Sequence, residues 1–134
     1  MNQRGERAAP PPRPKCVLVV DDDAQVRQAI RWALEDEGLA VLTAASGREA
    51  LALSVERLPD LVVLDLTLPE MDGYAVARSL RAEHGQPFPI LVITADGLAS
   101  MKAARVGAYA YLRKPFRVED LLEAVRRGLS GADA

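Results

Sequence analysis

Four short apolar runs in this chain each lead into residues capable of chemistry. Residues 16–20 run into Asp21, Asp22 and Asp23, 61–64 into Asp65, 88–93 into Thr94, and 108–112 into Arg113 and Lys114. Three consecutive carboxylates facing a fourth repel one another, and like charges a few ångströms apart raise their pKa values or demand a counter-ion. A hard divalent cation answers that demand. Magnesium takes a few carboxylate or carbonyl oxygens while keeping waters, and Asp21, Asp22 and Asp65 supply such oxygens with no soft ligand beside them. Lys114 is a point charge suited to a phosphate-like oxygen, and the Thr94 hydroxyl can donate to another. Metal, lysine and hydroxyl would surround a phosphoryl group, with a carboxylate at their centre as its nucleophile. Each residue alone has a bland explanation, an acidic run after a strand being most often a solvated helix start. The weight lies in the coincidence of acid, acid, hydroxyl and lysine at four separate ends.

Those ends meet only if the runs are strands of one sheet. Cys16 to Val20 is wholly apolar, as a strand buried on both faces of a parallel sheet must be. Val26, Ala29, Ile30, Ala33 and Leu34 then recur at helical spacing until Gly38 supplies a stop. A second strand over 39–44 precedes a capping box, Ser46 with Glu49, that opens a helix to about Arg57, where Pro59 and Asp60 break the pattern. After the third run, Asp72-Gly73 starts a helix to about Glu83. A shorter helix around 98–106 stops at Gly107. The last helix sets Val118, Leu121, Leu122, Val125 and Leu129 on one face, with Glu119 and Asp120 in its first turn and Arg126 and Arg127 in its last. Five strands alternating with five helices imply right-handed crossovers and an α/β fold with helices on both faces of a parallel sheet. Ligands of such sheets bind beyond the carboxyl ends of the strands, where the acids, Thr94 and Lys114 fall.

Length and composition agree with one such domain. The chain has 134 residues, 49% hydrophobic and 27% charged, without an apolar run long enough to span a bilayer or act as a secretory signal. A soluble, cytoplasmic protein with no membrane association is expected. The lone Cys16 forms no internal disulfide, and His84 without cysteine partners makes no zinc site. The net charge of −2 divides unevenly: Arg4, Arg7, Arg13 and Lys15 against Glu6 give the first fifteen residues +3, leaving −5 for the rest. An acidic body argues against direct nucleic-acid binding, and a first loop without glycines argues against a nucleotide or flavin cradle. Residues 1–15, with Pro10, Pro11, Pro12 and Pro14, are expected to be a flexible tail.

Val-Leu-Val-Val-Asp-Asp-Asp at 17–23, Leu-Asp-Leu-Thr-Leu-Pro-Glu-Met-Asp-Gly at 64–73, Ile-Thr-Ala at 93–95 and Tyr-Leu-Arg-Lys-Pro-Phe at 111–116 resemble the receiver domain of bacterial two-component response regulators. The resemblance implies a flavodoxin-like (βα)5 fold with strand order 2-1-3-4-5 over residues 16–130, followed by a short tail at 131–134. It also implies that Asp65 is the phosphoacceptor for a sensor histidine kinase or a histidine phosphotransfer protein. Asp22 and Asp65 would bind Mg2+ directly, the Thr67 main-chain carbonyl would be a third protein ligand, and Asp21 would act mostly through water. Lys114 would pair with the phosphoryl group, and Thr94 with Tyr111 would form the switch pair. Ala95 fits an open approach to the site. Lys114-Pro115 would be a cis peptide with Lys114 directed into the acidic pocket.

With no output domain in view, the resemblance suggests a stand-alone receiver, monomeric or weakly dimeric, that signals to a protein target and catalyses only its own phosphorylation and dephosphorylation. A receiver-like interaction module without phosphorylation is the alternative. An aspartyl-phosphate hydrolase would place a second Asp where Thr67 stands. Of the remaining residues, Cys16 is expected to pack as a small hydrophobe and His84 to be solvated at a helix end, while Tyr109 faces either way. Trp32 lies roughly 130° from the centre of its helix's apolar face and should be exposed.

Overall fold

The computed structural model describes residues 13–68, 73–85, 88–95 and 97–131. Strands β1 (Cys16–Val20), β2 (Ala40–Ala44), β3 (Leu61–Asp65), β4 (Ile90–Thr94) and β5 (Ala110–Arg113) alternate with helices α1 (Ala24–Glu35), α2 (Gly47–Glu56), α3 (Gly73–His84), α4 (Ala99–Val106) and α5 (Val118–Ser130). The strands form one parallel sheet of order β2-β1-β3-β4-β5. This is the flavodoxin-like arrangement that the receiver resemblance implies. Residues 1–12 of the expected tail, Asp72 of the expected helix start and residues 132–134 lie outside the described residues.

The sheet divides the core in two because successive side chains of a strand point to opposite faces. Leu18, Val20, Val62, Leu64, Ile90 and Val92 pack on one face against Ala50, Val76, Leu80, Ala103 and Val106 of α2, α3 and α4. Val17, Val19, Leu61, Val63, Leu91 and Ile93 pack on the other against Ile30 and Leu34 of α1 and Leu121 and Val125 of α5. Strands covered on both sides need apolar residues at every position, so β1, β3 and β4 appear in the sequence as unbroken apolar runs.

Local chemistry fixes the helix ends. Asp23 caps α1 by accepting from the N–H groups of Gln25 and Val26. Ser46 caps α2 through the Glu49 N–H, and the returning Glu49 carboxylate accepts from Ala45 N–H, one residue before the position a capping box would use. Gly107 ends α4 in the left-handed region at φ 70°.

Several boundaries and faces differ from the sequence reading. β4 begins at Ile90 rather than Phe88, since Pro89 has no N–H for the ladder and contributes only its carbonyl, to Val62. β5 begins at Ala110 rather than Ala108, because the Gly107 and Ala108 N–H groups close the end of α4. Val118, placed on the buried face of the last helix, is 49% exposed at the first position of α5. Arg126 falls short of the last turn and pairs with Glu37 just beyond α1 at 2.8 Å. His84 is not solvated: it is half-buried, edge-on to Phe88, with Nε2 buried and no hydrogen-bonding partner among the described residues. Tyr109 turns toward α5 and donates to the Ala124 carbonyl at 2.6 Å. Cys16 is buried as expected, and burial pushes its thiol above the ordinary range.

Gly128 allows α5 to lie this close to the sheet. A Cβ there would sit 2.5 Å from both Leu61 Cδ1 and Tyr109 Oη. Ala is the better helix former by up to about 1 kcal/mol, whereas overpacking a filled site costs about 1–3 kcal/mol. Gly128→Ala should therefore lower unfolding stability by roughly 1–2 kcal/mol, as read by urea denaturation. A gain in stability would show that the contact relaxes freely.

Candidate functional site

The carboxyl ends of β1, β3 and β4 place Asp21, Asp65 and Thr94 at one edge of the sheet. Asp65 is the last residue of β3 and pairs in register with Ile93, one residue before Thr94. Asp21 continues the line of β1 through its N–H to the Ala44 carbonyl at 3.1 Å. All three are buried. Lys114 follows β5, its N–H bonded to the Thr94 carbonyl at 2.9 Å, and Lys114-Pro115 is cis.

The Lys114 ammonium bridges the two buried carboxylates. Its Nζ lies 2.7 Å from Asp21 Oδ2 and 3.1 Å from Asp65 Oδ2. The contact with Asp65 is a hydrogen bond, whereas Asp21 Oδ2 is left buried without hydrogen-bonding geometry to any described group. Asp21 Oδ1 accepts from the Asp23 N–H at 2.9 Å. Asp65 Oδ1 accepts twice from Thr67, from its N–H at 2.9 Å and its hydroxyl at 3.0 Å.

The titration shifts follow from this crowding. Burial raises the Asp21 carboxyl, with the neighbouring Asp65 charge adding to it, and Lys114 and the Asp23 N–H only partly counter that. Burial alone would lower the Lys114 ammonium, but its close contacts with the charged Asp21 and Asp65 outweigh it and leave the group above its ordinary value. One positive charge is thus shared between two buried acids, with a third at the rim. Oxygens of Asp21, Asp22 and Asp65 lie within 4.8 Å of one another, Asp22 on the exposed side. A buried carboxylate oxygen short of a hydrogen bond, beside two more hard oxygens, suits a divalent cation.

The other expected residues are distributed unevenly. Thr94 and Tyr111 are diagonal neighbours on the same sheet face, since Tyr111 pairs with Val92, and the Tyr111 ring is 43% exposed. Arg113, grouped by the sequence with the chemical edge, is exposed and makes no contact with the carboxylates, because in a strand its side chain points away from that of Lys114. Asp23 serves as a helix cap.

Two contacts were not anticipated. The Thr67 hydroxyl holds the acid two residues before it, a turn habit of Asp that the spacing could have suggested. Arg27 donates from Nη1 to the Asp21 main-chain carbonyl at 2.8 Å. Nothing in the residue type marks Arg27; only its position one turn into α1, above the acidic loop, brings it there.

A family model for the response regulator receiver domain matches residues 17–126. The chain belongs to that family. It is 46% identical over 115 residues to the response regulator MprA of Mycolicibacterium vanbaalenii, covering 84% of this chain and 49% of that protein. MprA of Mycobacterium avium is 44% identical over 112 residues, 82% of this chain and 49% of that protein. This receiver therefore spans about half the length of the curated relatives it matches. Among solved structures, the chemotaxis protein CheY4 of Vibrio cholerae is similar with a TM-score of 0.81 and 36% identity, covering 87% of this chain and all of that one. The receiver domain of NtrX from Brucella abortus gives 0.78 and 34%, covering 85% and 98%. Receivers are signalling modules of two-component systems that take phosphoryl groups from kinases and signal to partners. No helix among the described residues is long and apolar enough to cross a membrane.

Asp21 supplies a test of the electrostatics. A carboxyl raised in the folded state contributes stability that is fully present below the unfolded carboxylate range and is lost as pH rises through the folded value. In chelator, Asp21→Asn should therefore melt higher than the parent at neutral pH, and the difference should shrink toward acid pH. A difference independent of pH in thermal denaturation would contradict the charge origin.

Proposed function

We propose that this receiver accepts a phosphoryl group on Asp65 from the phosphohistidine of a sensor histidine kinase or histidine phosphotransfer protein. The observation that carries the reading is the Lys114 ammonium held between the Asp65 and Asp21 carboxylates at the sheet edge. An Asp65 carboxylate oxygen attacks phosphorus, the histidine nitrogen departs with its bonding pair, and an acyl phosphate forms. Thr67 fixes the carboxylate through Oδ1, so its rotation is restrained before transfer.

The acidic residues fit a magnesium ion, which Asp22 and Asp65 would bind directly, the Thr67 main-chain carbonyl would also ligate, and Asp21 would hold through water. Bound there, Mg2+ neutralises charge on the carboxylates and the transferring group. Lys114 stays close enough to meet a phosphoryl oxygen on Asp65. Thr94, buried at the end of β4, donates its hydroxyl to another phosphoryl oxygen, and the Tyr111 ring on the same face turns inward behind it. The new charge and acceptor oxygens bias that face between two arrangements, and a protein target reads the difference.

Incubation with acetyl phosphate and Mg2+ should add one base-labile phosphoryl group, and Asp65→Asn should abolish it. Labelling that persists in the variant moves the nucleophile elsewhere. Mg2+ should raise the melting temperature of the unphosphorylated protein, and Asp22→Ala should remove most of that gain; an unchanged metal response contradicts the ligand assignment.

Trp32 on α1 is 64% exposed, a large aromatic of the kind that anchors interfaces. As part of the kinase-docking surface, it gives a separate expectation. Trp32→Ala should slow transfer from the cognate kinase about tenfold, the scale of a 1.4 kcal/mol contact, while acetyl phosphate labelling stays intact. Equal kinase rates would remove Trp32 from that surface.

A further inference from the structure

Away from the acidic edge, α3 and α4 enclose a cleft of about 310 Å3 lined by Tyr74, Ala77, Arg78, Arg81, Arg105 and Val106. Its charge is opposite to that of the body as a whole. α4 contains no acidic residue, and α3 has one, Glu83.

The three arginines are in different states. Arg81 is committed: Nη1 donates to the Val106 carbonyl and Nη2 to the Gly107 carbonyl at 3.1 Å, satisfying the last carbonyls of α4. Burial sets its guanidinium below the ordinary value, with no carboxylate to counter it. Arg105 lies over the Tyr74 ring, its Cζ 4.7 Å from the ring centroid, which positions the guanidinium without neutralising it. Arg78 is exposed, and neither it nor Arg105 forms an ion pair with a described carboxylate. Tyr74 Oη is buried with no hydrogen-bonding partner among the described residues. A buried phenol without a partner costs free energy unless something accepts its proton. The cleft therefore presents hydrogen-bond donors and a concentrated positive charge, lined in part by a tyrosine whose covered phenol lacks an acceptor.

We propose that the cleft between α3 and α4 is a binding site for the phosphate groups of a small polyanion. Guanidinium forks match the oxygens of phosphate in pairs, and more than one positive charge favours a multiply charged anion over a single carboxylate. The size suits a small molecule, cavities of a few hundred Å3 being the usual scale for such ligands. The Tyr74 side chain turns so that its covered Oη donates to one phosphate oxygen, Arg78 and Arg105 flank the group from the two helices, and Arg81 adds charge from the lining. This site is separate from the one read as accepting phosphoryl transfer, where acidic groups repel a free anion.

The probes are inorganic pyrophosphate and a nucleoside diphosphate, titrated into the chelator-treated protein and followed by NMR. Saturable shifts should centre on the Tyr74 ring and the Arg78 and Arg105 Nε groups. Arg78→Ala with Arg105→Ala should weaken binding at least about tenfold, and Tyr74→Phe should weaken it with the ring still in place. Acetyl phosphate labelling of Asp65 with Mg2+, retained in these variants, shows that they fold. Tighter binding of the nucleoside diphosphate assigns a nucleotide ligand; equal or weaker binding assigns the phosphate alone. Shifts confined to Lys114 and its neighbours, shifts reproduced by sodium chloride at equal ionic strength, or affinity unchanged in the double variant would each overturn the site. Failure of Asp65 labelling in the parent would instead count against the phosphoacceptor reading.

Discussion

Asp21 and Asp65 are both buried at the edge of the sheet, and a single ammonium, that of Lys114, touches both. Two carboxylates at that separation in a poorly solvated place repel strongly, and removing either from water is costly. Lys114 offsets the repulsion only in part, because it hydrogen-bonds to Asp65 and leaves Asp21 Oδ2 without hydrogen-bonding geometry. The chain thus keeps an excess of negative charge where a more stable protein would place neutral residues. Sites that bind and transfer charged groups commonly hold their residues in such unfavourable states. The cost is borne by two apolar layers that enclose β1, β3 and β4 at the centre of the sheet.

Parallel register is what turns those layers into precision. With Asp65 opposite Ile93, and Thr94 one residue further along β4, a slip by one residue would turn each of these side chains to the opposite face of the sheet. The apolar residues on both faces resist that slip, since Val62 and Val63 serve different cores. Lys114 is fixed from the opposite direction by its own N–H on the Thr94 carbonyl, so hydroxyl and ammonium are positioned by one backbone contact. Thr67 completes the arrangement by holding one oxygen of Asp65 through two donors and leaving the other facing Lys114.

The positions of the central strands and of their chemical ends were legible because doubly covered strands leave unbroken apolar runs and because the residues that follow stand at the carboxyl edge of the sheet, although Arg113, first after the last run, turns away from the acids. The exposure of Trp32 was legible from helical period alone. What the sequence left hidden depends on partners distant along the chain. Helical period assigns Val118 to the buried face, yet it stands at the first position of α5, where the helix leaves the sheet. His84 carries no mark of the Phe88 ring beside it. Arg27 reads as an ordinary surface residue, and only the return of α1 over the acidic loop brings its guanidinium to the Asp21 carbonyl. Asp23, third in the acidic run, is indistinguishable by type from its neighbours, but its backbone geometry makes it a cap.

The helices differ in how their ends are held, and under the proposed phosphorylation of Asp65 that difference would bear on which one responds. α1 and α2 begin at side-chain caps, and α5 has thirteen residues with acids in its first turn. α4 has eight residues, begins at Leu98 without a side-chain cap, and exposes Leu98 and Met101 to solvent. Its firmest attachment is at the far end, where Arg81 of α3 and the left-handed Gly107 satisfy its last carbonyls. At the other end Ala99 is buried, so α4 is held by packing there and by Arg81 at its C-terminus, and local stability of this kind sets where conformational change is cheapest. The N-terminal end follows Thr94 closely in the chain, while the C-terminal end adjoins the arginine-lined cleft. Under the proposed phosphorylation of Asp65, the end of α4 nearest Thr94 is the one that the new charge would reach first, and an anion held between Arg78 and Arg105 would act on the same helix from its other side.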